Sequence, residues 1–151
     1  MLRKTLGAIV ALTISSGLAY QALAQTTPED ALDYRKAVMT ALRGHIGAAS
    51  MIARGLVEDD GHLVGHAQGL HAGAMELSRV FPAGSNVGET EALPAIWDDA
   101  EGFAAAVATM QEATAAFVEA AESGDRAAIG AAFRNVGMGC RGCHDNYRVQ
   151  N

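Results

Sequence analysis

Residues 123–148 read Ser-Gly-Asp-Arg-Ala-Ala-Ile-Gly-Ala-Ala-Phe-Arg-Asn-Val-Gly-Met-Gly-Cys-Arg-Gly-Cys-His-Asp-Asn-Tyr-Arg. Ser123-Gly124-Asp125 is a tight stop and restart, with Asp125 as the N-cap of the last helix. Ile129, Phe133, Val136, Cys140, Cys143 or His144, and Tyr147 then recur at spacings of three and four, so they share one face of that helix. Cys140 and Cys143 are three apart and His144 is four after Cys140, which stacks two thiols and an imidazole on that face.

The same periodicity runs upstream. Ile96, Phe103, Met110, Phe117 and Ala121 are spaced by seven, seven, seven and four, with Val107 and Thr114 on the turns between, in a helix starting near Pro94. A second helix is expected from His62 to Val80, turning Leu63, His66 or Ala67, Leu70, Ala74 and Leu77 inward. The loop signal Phe81-Pro82-Ala83-Gly84-Ser85-Asn86 comes next, and the loop continues to about Glu91. The first helix begins at Thr27-Pro28-Glu29-Asp30, where a Thr caps, Pro takes the first position and acids face the positive dipole end. Leu32, Arg35, Met39, Leu42, Ile46, Ala49, Ala53 and Leu56 then form one stripe, ending at Glu58-Asp59-Asp60-Gly61. Four helices with mostly short connections predict an all-α chain folded as an antiparallel up-down-up-down four-helix bundle. Gly44, Gly47, Gly65, Gly69 and Gly73 each cost a helix about 1 kcal/mol against Ala. Close approach of helices would explain them, and so would a large flat group lying against them.

Cys140-Arg141-Gly142-Cys143-His144 is C-x-x-C-H, the attachment signature of c-type haem. The two thiols add to two vinyl groups, and the neighbouring imidazole reaches the iron from the same side. A dithiol redox centre belongs beside a βαβ pattern, which is absent from this sequence. A disulfide across three residues of a helix is geometrically poor. Zinc would need two further ligands.

Residues 1–24 have the form of a secretory signal peptide: Arg3 and Lys4, an apolar run from Leu6 to Tyr20, and Ala22-Leu23-Ala24 before Gln25. The run falls short of the roughly 20 residues of a membrane span. Cleavage would leave residues 25–151 as one haem-binding bundle without a membrane anchor, placed in the periplasm. It removes two positive charges and no acid, taking the formal charge from −6 to −8. So acidic a chain is no general partner for nucleic acid, although it can steer a basic redox partner. Two cysteines make no disulfide scaffold. Half the 151 residues are hydrophobic but only 5% are aromatic, so a porphyrin would be the largest apolar object in the core.

The chain resembles the cytochrome c′ family, the class II c-type cytochromes. The resemblance rests on Tyr34-Arg35 in the first helix, Pro94-Ala95-Ile96-Trp97 opening the third, Gly124-Asp125 before the fourth, and Cys140 to Arg148 at the end. It implies one covalent haem c. His144 is the proximal ligand by adjacency, and the first helix faces the other side of the iron through Met39. Relatives divide at this point: a first-helix Met that binds iron makes an electron carrier, and a residue that does not leaves a five-coordinate haem that binds NO or CO. The expectation adopted is Met39 ligation and electron transfer to redox partner proteins, with Met39 as a non-bonding plug the alternative. No distal acid–base pair suggests an enzyme such as a peroxidase. Relatives also often pair as homodimers through the first two helices.

Arg35 lies one turn before Met39, and a buried Arg needs an anionic partner, for which a haem propionate is suited; the alternative is that it reaches solvent. Arg148, four after His144, falls where the family lines the proximal pocket with a basic residue, or else simply complements the helix dipole. Met51 is too far along the first helix, Met75 and Met110 sit on other helices, most simply as core, and Met138 is too close to the thiols. Trp97 reads as a bundle-end core residue. His62, His66 and His71 read as surface or core. His45 lies roughly 240° around the helix from Met39 and so points elsewhere.

Overall fold

A computed structural model describes residues 26–150, so the signal-peptide reading of residues 1–24 lies outside it. The elements are α1 (Pro28–Ala53), α2 (His62–Glu76), α3 (Ala95–Asp98), α4 (Ala100–Ser123) and α5 (Arg126–Tyr147). Among the described residues the only strand-like feature is an isolated antiparallel bridge between Ala92 and Arg148.

Side-chain pairings give the direction of each helix. Tyr34 reaches Glu76, and His45 reaches His66, so α1 and α2 run antiparallel. His71 meets Thr114, and Gln111 meets Ala74, so α4 reverses α2. Phe117 packs on Phe133, and Phe103 on Tyr147, so α5 reverses α4. The result is the expected up-down-up-down bundle. Consecutive long helices pack closely, whereas α1 touches α5 only lightly.

The caps are where the sequence places them. Thr27 Oγ1 accepts from the Asp30 amide at 3.1 Å, and Asp125 Oδ1 accepts from Ala127 and Ala128 at 2.8 and 3.3 Å. Three boundaries differ from expectation. α1 stops at Ala53 instead of continuing to Glu58, because Gly55 takes a left-handed φ of 70°. Its amide donates to Ile52 O, and the Leu56 amide donates to Met51 O, which closes a Schellman turn and leaves Leu56 exposed. α2 ends at Glu76, although Leu77 and Val80 remain buried in the turns beyond. The expected third helix is broken at Asp99, which leaves helical geometry to cap α4.

The core runs the length of the bundle and centres on Leu63, Leu70, Phe117 and Val136. Thr114 is fully buried, and its hydroxyl is satisfied by Met110 O at 2.9 Å and His71 Nδ1 at 3.1 Å. Two of the helix-interior glycines mark close approach. A Cβ at Gly69 would strike the His45 ring, and one at Gly73 would strike Leu42. Gly44, Gly47 and Gly65 face open space.

Candidate haem-attachment site

The helix α5 is held at both ends. The Asp125 cap starts the helix. At the other end the Leu93 amide donates to Tyr147 O at 3.0 Å, and the Val149 amide donates to Glu91 O at 2.8 Å. The Tyr147 hydroxyl donates to Asp99 Oδ2 at 2.9 Å, and its ring stands edge-on to Phe103 at 5.2 Å. Gly102 makes this possible, because a Cβ there would collide with both Asp99 and the Tyr147 hydroxyl. Sequence reasoning misses this anchoring. Its one signal is Tyr147 at the end of the inward stripe.

Between those anchors lie Cys140, Cys143 and His144. Both cysteines are half-buried free thiols, and Cys140 Sγ sits 3.9 Å from Met110 Sδ. Burial pushes both thiols above the ordinary cysteine value, and Cys140 pushes Cys143 further the same way. Reactive dithiol centres need the opposite shift, toward thiolate, so a redox dithiol is disfavoured on electrostatic grounds. The His144 imidazole is exposed. Partial burial and the charge of Arg148 hold its pKa below the usual histidine value, against Asp145 and Glu91. That favours the neutral form, which is the form that ligates metal. Among the described residues no cluster of three or more His, Cys, Asp or Glu is arranged for a metal ion.

Cys143 opens onto a groove of about 390 Å³ between α4 and α5. Ala106, Thr109 and Ala113 form one wall, and Asn135, Met138, Gly139 and Gly142 form the other. No lining residue is charged, and a Cβ at Gly142 would meet nothing within 4 Å. Of the three attachment residues only Cys143 lines this groove, and it is the two protonated thiols three residues apart with the adjoining imidazole that fit a covalently held tetrapyrrole. Cys140 and Cys143 would hold it and His144 would ligate its iron, which supplies a one-electron or gas-binding centre.

The other expected site residues are placed as follows. Met39 is half-buried on α1 and packs against the same core that Cys140 borders. Arg35 is only 3% exposed, which rules out the reading in which it reaches solvent. Its Nη1 donates to Ser85 Oγ at 3.0 Å and Val80 O at 3.3 Å, and its Nη2 donates to Ser85 O at 3.1 Å. The guanidinium also lies over Phe81 at 4.9 Å and Trp97 at 5.9 Å. These partners are neutral, so a propionate would have to join or displace them. Trp97 is a bundle-end residue as expected, and its indole donates to Phe81 O and Pro82 O. Arg148 is exposed and paired with Glu91 at 2.5 Å. It is close enough to act on His144 electrostatically. Met51 and Met138 are exposed, and so is Met75, for which the other-helix placement suggested a core position.

Known proteins align with this arrangement over nearly its whole length. The family model described as Cytochrome C' matches residues 30–148. A cytochrome c-554 from Cereibacter sphaeroides is 38% identical over 128 residues, covering 82% of this chain and 96% of that protein. A cytochrome c' from Pararhodospirillum photometricum is 32% identical over 123 residues, covering 81% and 98%. Among solved structures, cytochrome c' from Rubrivivax gelatinosus superimposes with a TM-score of 0.76 at 32% identity, covering 81% of this chain and 97% of that one. A ferrous variant of cytochrome c prime from Alcaligenes xylosoxidans with bound NO gives 0.77 at 29% identity, covering 84% and 99%. With thiols and imidazole on the last of four antiparallel helices, and a match that runs from the first turn of α1 to Arg148, the chain belongs to the cytochrome c′ family.

Proposed function

We propose that the chain is an exported electron carrier of the periplasm. It holds one haem c through thioethers to Cys140 and Cys143, and His144 and Met39 are the axial ligands. Each thioether forms as an S–H adds across a vinyl C=C, the sulfur taking one carbon and the hydrogen the other. The observation that carries this reading is the distribution of methionines. Met51, Met75 and Met138 are exposed, and Met110 lies against Cys140 on the thiol side. Met39 is half-buried, one turn beyond the buried Arg35 on the helix opposite in sequence to the attachment site. A Met/His pair raises the reduction potential and closes the iron to other ligands. The partners are then redox proteins, and no acid–base pair is on hand for turnover of peroxide.

The test is the visible spectrum with and without CO. Ferrous protein with Met39 bound is low-spin and ignores CO, and Met39→Ala binds it at once. A high-spin ferrous spectrum that shifts immediately with CO in the unsubstituted protein refutes the carrier reading. The second reading, a gas-binding haem with Met39 as a plug, has its own support. The similar Alcaligenes xylosoxidans structures include complexes with NO and with CO.

A further inference from the structure

We propose that the outward face of α5, formed by Arg134, Met138 and Arg141, is the docking surface for a redox protein with an acidic contact patch. The proposal rests on the carrier reading. Spacings of four and three place these residues within an arc of about 60° on one helix face. All three are exposed. Met138, at 64%, is the most exposed large hydrophobic among the described residues. It also lines the groove onto which Cys143 opens, so the face borders that groove. An apolar centre flanked by arginines is the usual anatomy of a transient contact, in which the apolar residue packs and the charges orient.

The local charge is opposite in sign to that of the whole molecule. The chain carries a formal charge of −6. Arg134 and Arg141 make no ion pair among the described residues, where the two pairs are Arg79–Glu76 and Arg148–Glu91. The α4 wall of the groove offers Ala106, Thr109 and Ala113 and no carboxylate. Around α4, Glu101 and Glu119 fall about 80° from Thr109, the nearest wall residue, and Glu112 about 60°. Asp145 is the one acid on the same α5 face, one turn beyond Arg141. An acidic partner is therefore repelled by the molecule as a whole and attracted at this face, which orients it.

Salt dependence reads this sign directly. Reduced holoprotein is mixed with hexacyanoferrate(III) between about 0.01 and 0.5 M ionic strength, over which exposed charges pass from weak to strong screening. The expected rate falls as salt rises, against the sign of the net charge. Arg134→Glu with Arg141→Glu reverses the slope and lowers the low-salt rate about tenfold. The matching glutamine pair, which leaves these exposed positions neutral, flattens it. Reduction of the oxidised protein by an acidic plant-type ferredoxin slows in the glutamate pair and in Met138→Ser. A low-spin haem whose hexacyanoferrate rate rises with salt, or does not respond to the glutamates, overturns the docking face alone. A high-spin, CO-binding haem overturns the carrier reading and the docking role with it. Binding to phosphatidylglycerol vesicles that the glutamates abolish, with the ferredoxin rate unchanged, reassigns the face to a membrane surface and also overturns the proposal.

Discussion

Between α1 and α2, glycines are covered by the protein's own side chains. The His45 ring lies over Gly69, Leu42 lies against Gly73, and His45 Nδ1 meets His66 Nδ1 at 3.2 Å, one ring donating and the other accepting. Between α4 and α5, small residues face each other across an apolar groove, and a Cβ at Gly142 would touch nothing. Both seams are rich in Gly and Ala. One is completed by side chains within the chain, while the other exposes a thiol beside apolar surface that no described residue covers. Small residues in a helical sequence thus say that something comes close, without saying whether it is a neighbouring helix or a prosthetic group.

Emptying the second seam has the largest expected effect. Cys140→Ser with Cys143→Ser should abolish covalent haem altogether, read as loss of haem stain on a denaturing gel. Retained stain would show that the group is held elsewhere. Next comes the Arg35 cluster, which ties α1 to the segment after α2. Arg35→Ala leaves Ser85 and Val80 O without their donor and should cost about 3 kcal/mol in urea unfolding. If its main role were toward a propionate, the loss would appear in holoprotein and vanish in the apoprotein. The glycines sharpen the comparison within one helix. Gly65→Ala meets no neighbour and should stabilise by about 1 kcal/mol. Gly69→Ala gains the same propensity but displaces His45 from His66, which offsets about 1 kcal/mol, so its midpoint should barely move or should fall. Equal gains at both positions would mean that the first seam is not tightly closed. The smallest effect belongs to the exposed pair at the end of α5. Arg148→Gln should change stability by less than about 1 kcal/mol, and less still in high salt.

The elements legible in the sequence share a physical basis. Thr27 and Asp125 act on amides two or three residues away, so their caps are written locally. The seven-residue repeat from Phe103 to Phe117 marks the inward face of α4 correctly, because a helix returns to the same side every two turns. The boundaries that differ have mixed causes. Gly55 is itself a local stop signal, overridden by the apparent continuity of the stripe to Leu56. The break at Asp99 is tertiary as well as local, since its carboxylate caps α4 and also accepts from Tyr147, 48 residues away. Arg35 lies on the expected face, but its acceptors are 45 to 50 residues away in sequence. Met75 falls on the exposed side because α2 turns a narrow stripe inward, led by Leu63, Leu70 and Ala74.

Whatever depends on neighbours within two helical turns was already written in the order of residues: helix faces, most caps, and the stacking of Cys140, Cys143 and His144. Covalent geometry makes these relations nearly independent of the rest of the molecule. Packing decided what lies across from each face. It closed the α1–α2 seam with His45 and Leu42, buried Arg35 among neutral acceptors, opened the groove beside Cys143 and pinned Tyr147 to Asp99. Those outcomes depend on how rigid helices settle against one another, and small shifts in register exchange one distant partner for another.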